Sequence, residues 1–292
     1  MDSEVREKYV KAGNIASRVR DAAAKKATPG VKLLDLAEFI EGETRKLGGE
    51  PAFPANLSLN EIAAHYTPYK NDPTLIPENS MLKIDIGVHV DGYVADTART
   101  VAFSAELQKL SDASRLALEE AIKIVKPGVK VADISKKIEE TIKSCGFKPV
   151  SNLTGHGLDR YFLHAPPQIP NVSVTGDVRL KDGQAIAIEP FATDGRGFVR
   201  ESSPVLIYML TGKKPIRNMD SRRSMEFAEA FNGLPFAERW LPFDSVFKSR
   251  LSLRELKEKG ILYEYPPLKE SGMVSQHEHT LIVGDEPLVT TL

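Results

Sequence analysis

Thiols are almost missing from this chain: Cys145 is the single cysteine in 292 residues. No internal disulfide can form, which fits a reducing, cytoplasmic setting. Net charge is missing too. Lys and Arg number 39 against 40 Asp and Glu, a formal charge of −1. That excludes the basic excess of a nucleic-acid footprint, so no DNA partner is expected. No apolar run reaches the length of a membrane span, and the start MDSEVREKYV has no apolar core of a signal peptide. Low-complexity segments are absent as well. What remains is a chain 41% hydrophobic and 27% charged, ample for a sizeable core as one large domain or two. A soluble protein is expected.

The stretch Met81 to Ala98 reads as a β-hairpin about Asp91-Gly92, a strong two-residue turn signal. That turn sets Val90 opposite Tyr93, Gly87 opposite Asp96 and Asp85 opposite Ala98. Side chains alternate along a strand, so Asp85, Gly87, Asp96 and Ala98 share one face. Ile84, Ile86, Val88 and Val90 share the other, which reads as core. The two carboxylates become diagonal neighbours, about 7 Å apart at Cβ or closer. Close carboxylates beside an apolar sheet repel and lose hydration, and a hard or borderline cation between them removes that penalty. The alternative is a solvated hairpin with two surface acids.

Helical spacing covers about Ser3 to Lys26, Leu33 to Leu47 and Glu106 to Val125. Between the second helix and the hairpin, Asn56 to Pro68 reads as extended and loop-like. The chain then repeats itself. PGVKLLDLAEFIEGETRKLGGEP, from Pro29, aligns without a gap with PGVKVADISKKIEETIKSCGFKP, from Pro127, with nine identities. Downstream, Ile84-Asp85 and Asp91-Gly92 have counterparts in Ile188-Glu189 and Asp194-Gly195. The same order of helix, helix and acidic hairpin thus occurs twice. Two α+β halves packed about a pseudo-twofold axis would bring the acidic faces together. After Val199 the repeat stops. Residues 208–267 read as an inserted helical piece, with helices at Ser221 to Phe231 and Ser252 to Lys259 around GLPFAERWL. Met273 to Val283 closes the chain as a strand, with Gln276, Glu278 and Thr280 on one face and His277 and His279 on the other.

Five residues suit hard to borderline metals: Asp85, Asp96, His156, Glu189 and Glu278. Four carboxylates and one imidazole carry up to four negative charges, which two divalent ions would balance. Such a site without thiolates is a known hydrolytic arrangement. Periodicity alone does not bring the five together; the duplication argues only for those in the two hairpins.

Beyond these features, the chain resembles the methionine aminopeptidases, in particular the type 2, short form typical of archaea. The matching stretches are AAHYTP (63–68), DIG (85–87) with Asp96, GHGLDRYFLHA (155–165), IEPF (188–191), YPPL (265–268) and QHEHT (276–280). The resemblance spans essentially residues 1–292 as a single catalytic unit, and the insertion at 208–267 is what separates type 2 from type 1. It implies the α+β pita-bread fold with a pseudo-twofold axis. It also implies two divalent ions, whether Co, Mn, Fe or Zn, with Asp85 on one, Asp96 and Glu278 bridging, and His156 and Glu189 on the other. A metal-bridging water or hydroxide would attack the first peptide bond, and Glu189 would shuttle its proton. His164 would steady the tetrahedral intermediate. His65 would sit beside the substrate and is the position that fumagillin-type epoxides alkylate. Phe53, Leu163 and Tyr265 would line the methionine slot.

The implied function is removal of the initiator methionine from nascent polypeptides in the cytoplasm, by a monomer, with a contact to the ribosome plausible from that role. Xaa-Pro aminopeptidases and prolidases share the fold. The insertion, YPPL and the lack of a large N-terminal domain argue against them. Binding-module relatives, the proliferation-associated proteins, lose metal ligands and carry a basic tail; here all five positions are intact. His277 stands where the family often has an apolar residue, and alternation points it away from the metals. His89 and His279 have no assigned role.

Overall fold

The computed structural model describes residues 1–292. α1 (Ser3–Lys26) starts at Asp2, whose carboxylate accepts the Glu4 N–H at 3.0 Å. It buries Tyr9, Ala12, Ile15, Ala16, Val19 and Ala23, the spacing of one helical face. α2 (Leu33–Lys46) and β1 (Glu50–Pro51) follow. The stretch expected to be loop-like instead holds β2 (Asn56–Leu59) and β3 (Ile62–Ala64). Leu57 and Leu59 point into the core from β2, an alternation too short to show between flanking prolines.

β4 (Met81–Val90) and β5 (Tyr93–Ala102) form the expected hairpin in the expected register, with Gly87 opposite Asp96 and Asp85 opposite Ala98. Asp91 and Gly92 both take positive φ, 52° and 86°, the primed turn that matches strand twist. His89 Nδ1 accepts the Gly92 N–H at 3.1 Å, so this histidine braces the turn. The face with Ile84, Ile86 and Val88 packs under α1 and α2.

The second half repeats the first. α3 (Ala105–Ile122) stops three residues short of Val125, because the Ile124 and Val125 N–H groups fold back onto Ala121 and Ile122. α4 (Val131–Ser144) and β6 (Lys148–Pro149) then match α2 and β1. Gly30 N–H donates to Ile76 O and Gly128 N–H to Leu180 O, both at 2.8 Å. Leu33 N–H and Val131 N–H likewise reach Thr74 O and Val178 O. Each half owns a core of 18 buried residues, so neither is an appendage of the other. β7 (Thr154–Asp159), β8 (Phe162–Pro170), β9 (Ala185–Ile188) and β10 (Phe191–Thr193) complete this half.

The second acidic hairpin does not form as a local turn. Asp194-Gly195 opens instead into β11 (Arg200–Glu201), β12 (Ile207–Leu210), α5 (Met219–Glu229), β13 (Phe236–Ala237), α6 (Val246–Glu258), β14 (Leu262–Tyr265) and β15 (Leu268–Lys269). Only then do β16 (Val274–Gln276) and β17 (His279–Ile282) return to pair with β10 and β9, before β18 (Leu288–Val289). Asp194 Oδ1 accepts the Met273 N–H at 2.8 Å and closes the base of the excursion. The expected continuous strand from Met273 is therefore two strands, broken at His277-Glu278.

The excursion is more than helical. It contains a three-stranded sheet, β13-β12-β14, and its own core of Tyr208, Phe236, Leu241, Phe243 and Leu253. α6 begins at Val246 rather than Ser252, since Ser245 caps it. Glu41 on α2 moors the excursion to the first half. Its carboxylate pairs with the Arg239 guanidinium and accepts the Trp240 Nε1–H at 2.8 Å. Arg239 also donates to Thr67 Oγ1 and Pro68 O, in the segment that carries His65.

Candidate metal centre

The two hairpins meet along a seam. Ala98 and Glu278 exchange backbone hydrogen bonds of 3.4 and 3.0 Å, and Asp96 N–H donates to Thr280 Oγ1 at 2.7 Å. β4 and β5 supply Asp85 and Asp96. Glu278 projects from the break between β16 and β17, and Glu189 follows the end of β9, where Pro190 has no N–H to continue the ladder. β7 supplies His156 between two glycines. A Cβ at Gly155 would stand 2.5 Å from Ala187 O, and one at Gly157 2.3 Å from Pro166 O. No larger residue fits on either side, so β7 lies close to both neighbouring strands.

All five expected ligand residues line one cavity of about 200 Å³, together with His65, His164, Phe53, Leu163 and Tyr265. One ligand atom each from Asp96, His156 and Glu278 falls within 4.8 Å of the others. His156 Nε2 stands 3.7 Å from Asp96 Oδ2 and 3.8 Å from Glu189 Oε1. Its Nδ1 lies 3.1 Å from Gly157 O. A carbonyl only accepts, so Nδ1 carries the proton and Nε2 offers a lone pair to the cluster.

No lysine or arginine pairs with any of the four carboxylates; His156 alone lies within 4.0 Å, against Asp96 and Glu189. Burial pushes Asp85 up to about 7. Burial first, and the neighbouring acids next, push Asp96, Glu189 and Glu278 well above the ordinary carboxylate range. Asp85 Oδ1, Asp96 Oδ1 and Glu278 Oε1 are buried without a hydrogen-bond partner. A divalent ion satisfies both deficits at once, which protein hydrogen bonds do not. The donor set, four oxygens and one nitrogen, fits such an ion.

Sequence reasoning missed Gln276. Its Nε2 donates to Asp85 Oδ2 and Glu189 Oε2, both at 3.2 Å, and so ties one acid of each half to the other. Alternation had placed it on the face of Glu278, which was the available signal.

The cavity wall is aromatic. His156 and His164 meet edge to face at 4.7 Å between centroids, and His65 and Tyr265 do so at 5.4 Å. His65 takes a left-handed backbone, φ 64°, held by its ring: Nδ1 donates to Pro266 O at 3.2 Å. Nε2 therefore keeps a free lone pair, and burial with His164 nearby lowers its pKa to about 4. A Cβ at Gly87 would stand 2.3 Å from Phe53 Cε1, so the glycine of DIG makes room for that ring. Of the remaining histidines, His277 turns away from the cluster and bonds Ser114 Oγ at 2.9 Å.

Fold and site together define a metal-dependent hydrolase built on a duplicated α+β scaffold. Residues 7–217 match metallopeptidase family M24. The chain is 50% identical over 286 residues to the methionine aminopeptidase of Thermococcus onnurineus (strain NA1), covering 96% of this chain and 97% of the other. Its fold is shared by a thermophilic Arx1, at a TM-score of 0.84 and 19% identity over 99% of this chain and 91% of that one. It is also shared by the methionine aminopeptidase of Thermotoga maritima, at 0.73 and 23% over 100% and 98%. The chain belongs to metallopeptidase family M24 and, within it, to the methionine aminopeptidases.

Proposed function

We infer that this chain removes N-terminal methionine by metal-dependent hydrolysis, with two divalent ions held by Asp85, Asp96, His156, Glu189 and Glu278. The observation that carries this is the cluster of four largely buried acids with three unpartnered oxygens, in a cavity that Phe53, Leu163 and Tyr265 also line. In this reading Asp85 would hold one ion and His156 and Glu189 the other, with Asp96 and Glu278 contributing to both. When bound, the ions acidify a water and offset charge on the developing oxyanion.

The protein's own groups do the rest. Glu189 takes a proton from the attacking water and passes it to the leaving amine. His164 donates to the scissile amide oxygen as charge builds there. His65 lines the substrate's path through Nε2. The free α-amine docks on the Asp85 side, which restricts the reaction to chain ends. Phe53, Leu163 and Tyr265 form an unbranched apolar slot for the methionine side chain. Slots of this kind discriminate by about 1–3 kcal/mol per methylene.

The same reading makes the enzyme the type 2 form and a cytoplasmic monomer, with residues 208–267 as its insertion. Its substrates are nascent polypeptides leaving the ribosome, and its ions are drawn from Mn²⁺, Fe²⁺, Co²⁺ or Zn²⁺ by availability. No helix is long and apolar enough to cross a membrane.

The deciding experiment is hydrolysis of Met-Ala-Ser and Ala-Pro-Ser by metal-free protein titrated with Mn²⁺ or Co²⁺. The expected result is metal-dependent release of methionine alone. Cleavage of Ala-Pro-Ser instead would move the chain to a proline-directed activity. No cleavage with any metal would leave a binding module.

A further inference from the structure

Behind the metal centre lies a second cavity, of about 570 Å³, between α1 and α3. Its floor is the outer face of the seam, where β5 meets the strand break at His277. The basic side chains Arg20, Lys25, Arg99 and Arg115 line it, against only two acids, Asp21 and Glu119. Arg20 is 7% exposed at the bottom. Its Nη1 donates to Thr97 Oγ1 and Thr291 O, and Nε donates to Asp21, which leaves Nη2 without a partner. Arg115 is held by Asp112 and Glu119, and Arg99 lies 3.5 Å from Asp21. Lys25 has no acidic partner within 4.0 Å.

Two histidines that the hydrolytic site does not use face the same cavity. His277 Nδ1 is engaged by Ser114 Oγ at 2.9 Å, and His279 Nδ1 by Thr291 Oγ1 at 2.8 Å. Both rings line the cavity. Two imidazoles two residues apart would suit a metal, but four surrounding cations oppose one. They favour an anion, to which the guanidinium groups and the Lys25 ammonium donate charge-assisted hydrogen bonds. One phosphate would engage only part of this wall. A duplex would not reach Arg20, which is recessed under the groove.

We propose that the cavity between α1 and α3 binds a small anion bearing at least two phosphate groups, such as a pyrophosphate or nucleoside diphosphate. Ligand and metals then occupy opposite faces of the same strands, since β5 carries both Arg99 and Asp96.

Pyrophosphate and ADP, titrated calorimetrically into the Zn²⁺-loaded enzyme, test this. Saturable one-to-one binding is expected, weakened about tenfold or more in Lys25→Ala/Arg99→Ala, a surface variant that keeps hydrolysis as its control of folding. Ring signals of His277 and His279 should shift in histidine NMR, while those of His65 and His164 stay in place. No saturation at millimolar ligand would overturn the proposal. So would an unchanged affinity in the double variant, or shifts confined to His65 and His164, which would put the phosphates on the metals. Binding only of long oligonucleotides would assign the surface to nucleic acid instead and equally overturn it.

Discussion

Asp85→Asn should stabilise the metal-free protein while destroying its metal site, and the size of the effect depends on pH in a defined direction. Burial raises the Asp85 carboxyl from 3.8 to about 7, against the opposing hydrogen bond from Gln276. Below 3.8 folded and unfolded chains both carry the proton, and the substitution changes little. Between 3.8 and about 7 the folded protein holds a proton that the unfolded chain has released. Native stability therefore falls as pH rises through that window, then levels off. Asn carries no such proton. The variant's advantage should grow from near zero at pH 4 to a plateau above pH 7, on the order of 4 kcal/mol. For a chain of this length that is a rise in Tm of ~6 °C. Depressed histidines such as His156 and His277 have the opposite pH dependence, but they are common to both proteins and cancel in the difference. Calorimetry of chelator-treated wild type and variant at pH 5, 6.5 and 8 gives the curve. Adding Mn²⁺ should reverse the order, because only the wild type gains full binding energy. A metal-free variant less stable than wild type at pH 8 would refute the claim that uncompensated charge dominates this site.

Other substitutions probe single roles. Glu278→Ala should abolish turnover with circular dichroism unchanged and lower the metal content; retained activity would remove Glu278 from the reaction. His164→Ala should lower kcat by about 10²–10³ at constant metal content, as loss of an oxyanion donor does, and an unaltered kcat would exclude it. Gln276→Ala should weaken metal affinity by roughly 10–100-fold through the loosened Asp85 and Glu189, measured by metal-buffer titration against activity. A fumagillin-type epoxide should label His65 alone in peptide mapping, because Nε2 is unprotonated at neutral pH. Labelling of His164 instead would mean that the free lone pair is not the selecting feature.

Much of this was legible because it is local. Asp91-Gly92 fixes the β4–β5 register, and the register alone sets Asp85 and Asp96 on one face. The repeat of PGVK and its downstream glycines carried over to matching turns, since Gly30 and Gly128 share the same left-handed conformation. Long-range features escaped. The partner of β10 lies some eighty residues on, so Asp194-Gly195 gave a false hairpin signal. β2 and β3 are defined by neighbours rather than by period. Lys83 is fully buried with its ammonium on Asn60 O and Val274 O, and nothing in its own segment announces that. His65, His164 and the pocket residues came from resemblance to a family, not from spacing.

The duplication accounts for the charge at the centre, and the departures from it account for the chemistry. Bonds from both halves close the seam: Thr97 Oγ1 donates to Glu278 O and Thr280 Oγ1 to Asp96 O, both at 2.8 Å. Each half thus carries two acids to the axis, a balance that only a cation stabilises, so metal binding and the packing of the halves are coupled. A symmetric cluster, however, has no reason to bind a substrate one way round. The imidazole breaks it. Ser58 opposite Lys83 and His156 opposite Ala187 are equivalent register positions, yet only the second half has a nitrogen ligand there. The second hairpin breaks it further. Where the first closes in two residues, the second opens into the excursion that returns Ile207 and Tyr265 as cavity wall. Glu41 and Arg239 then hold that wall against the segment bearing His65. The part of the cavity wall formed by Ile207 and Tyr265 is therefore built from what the two halves do not share.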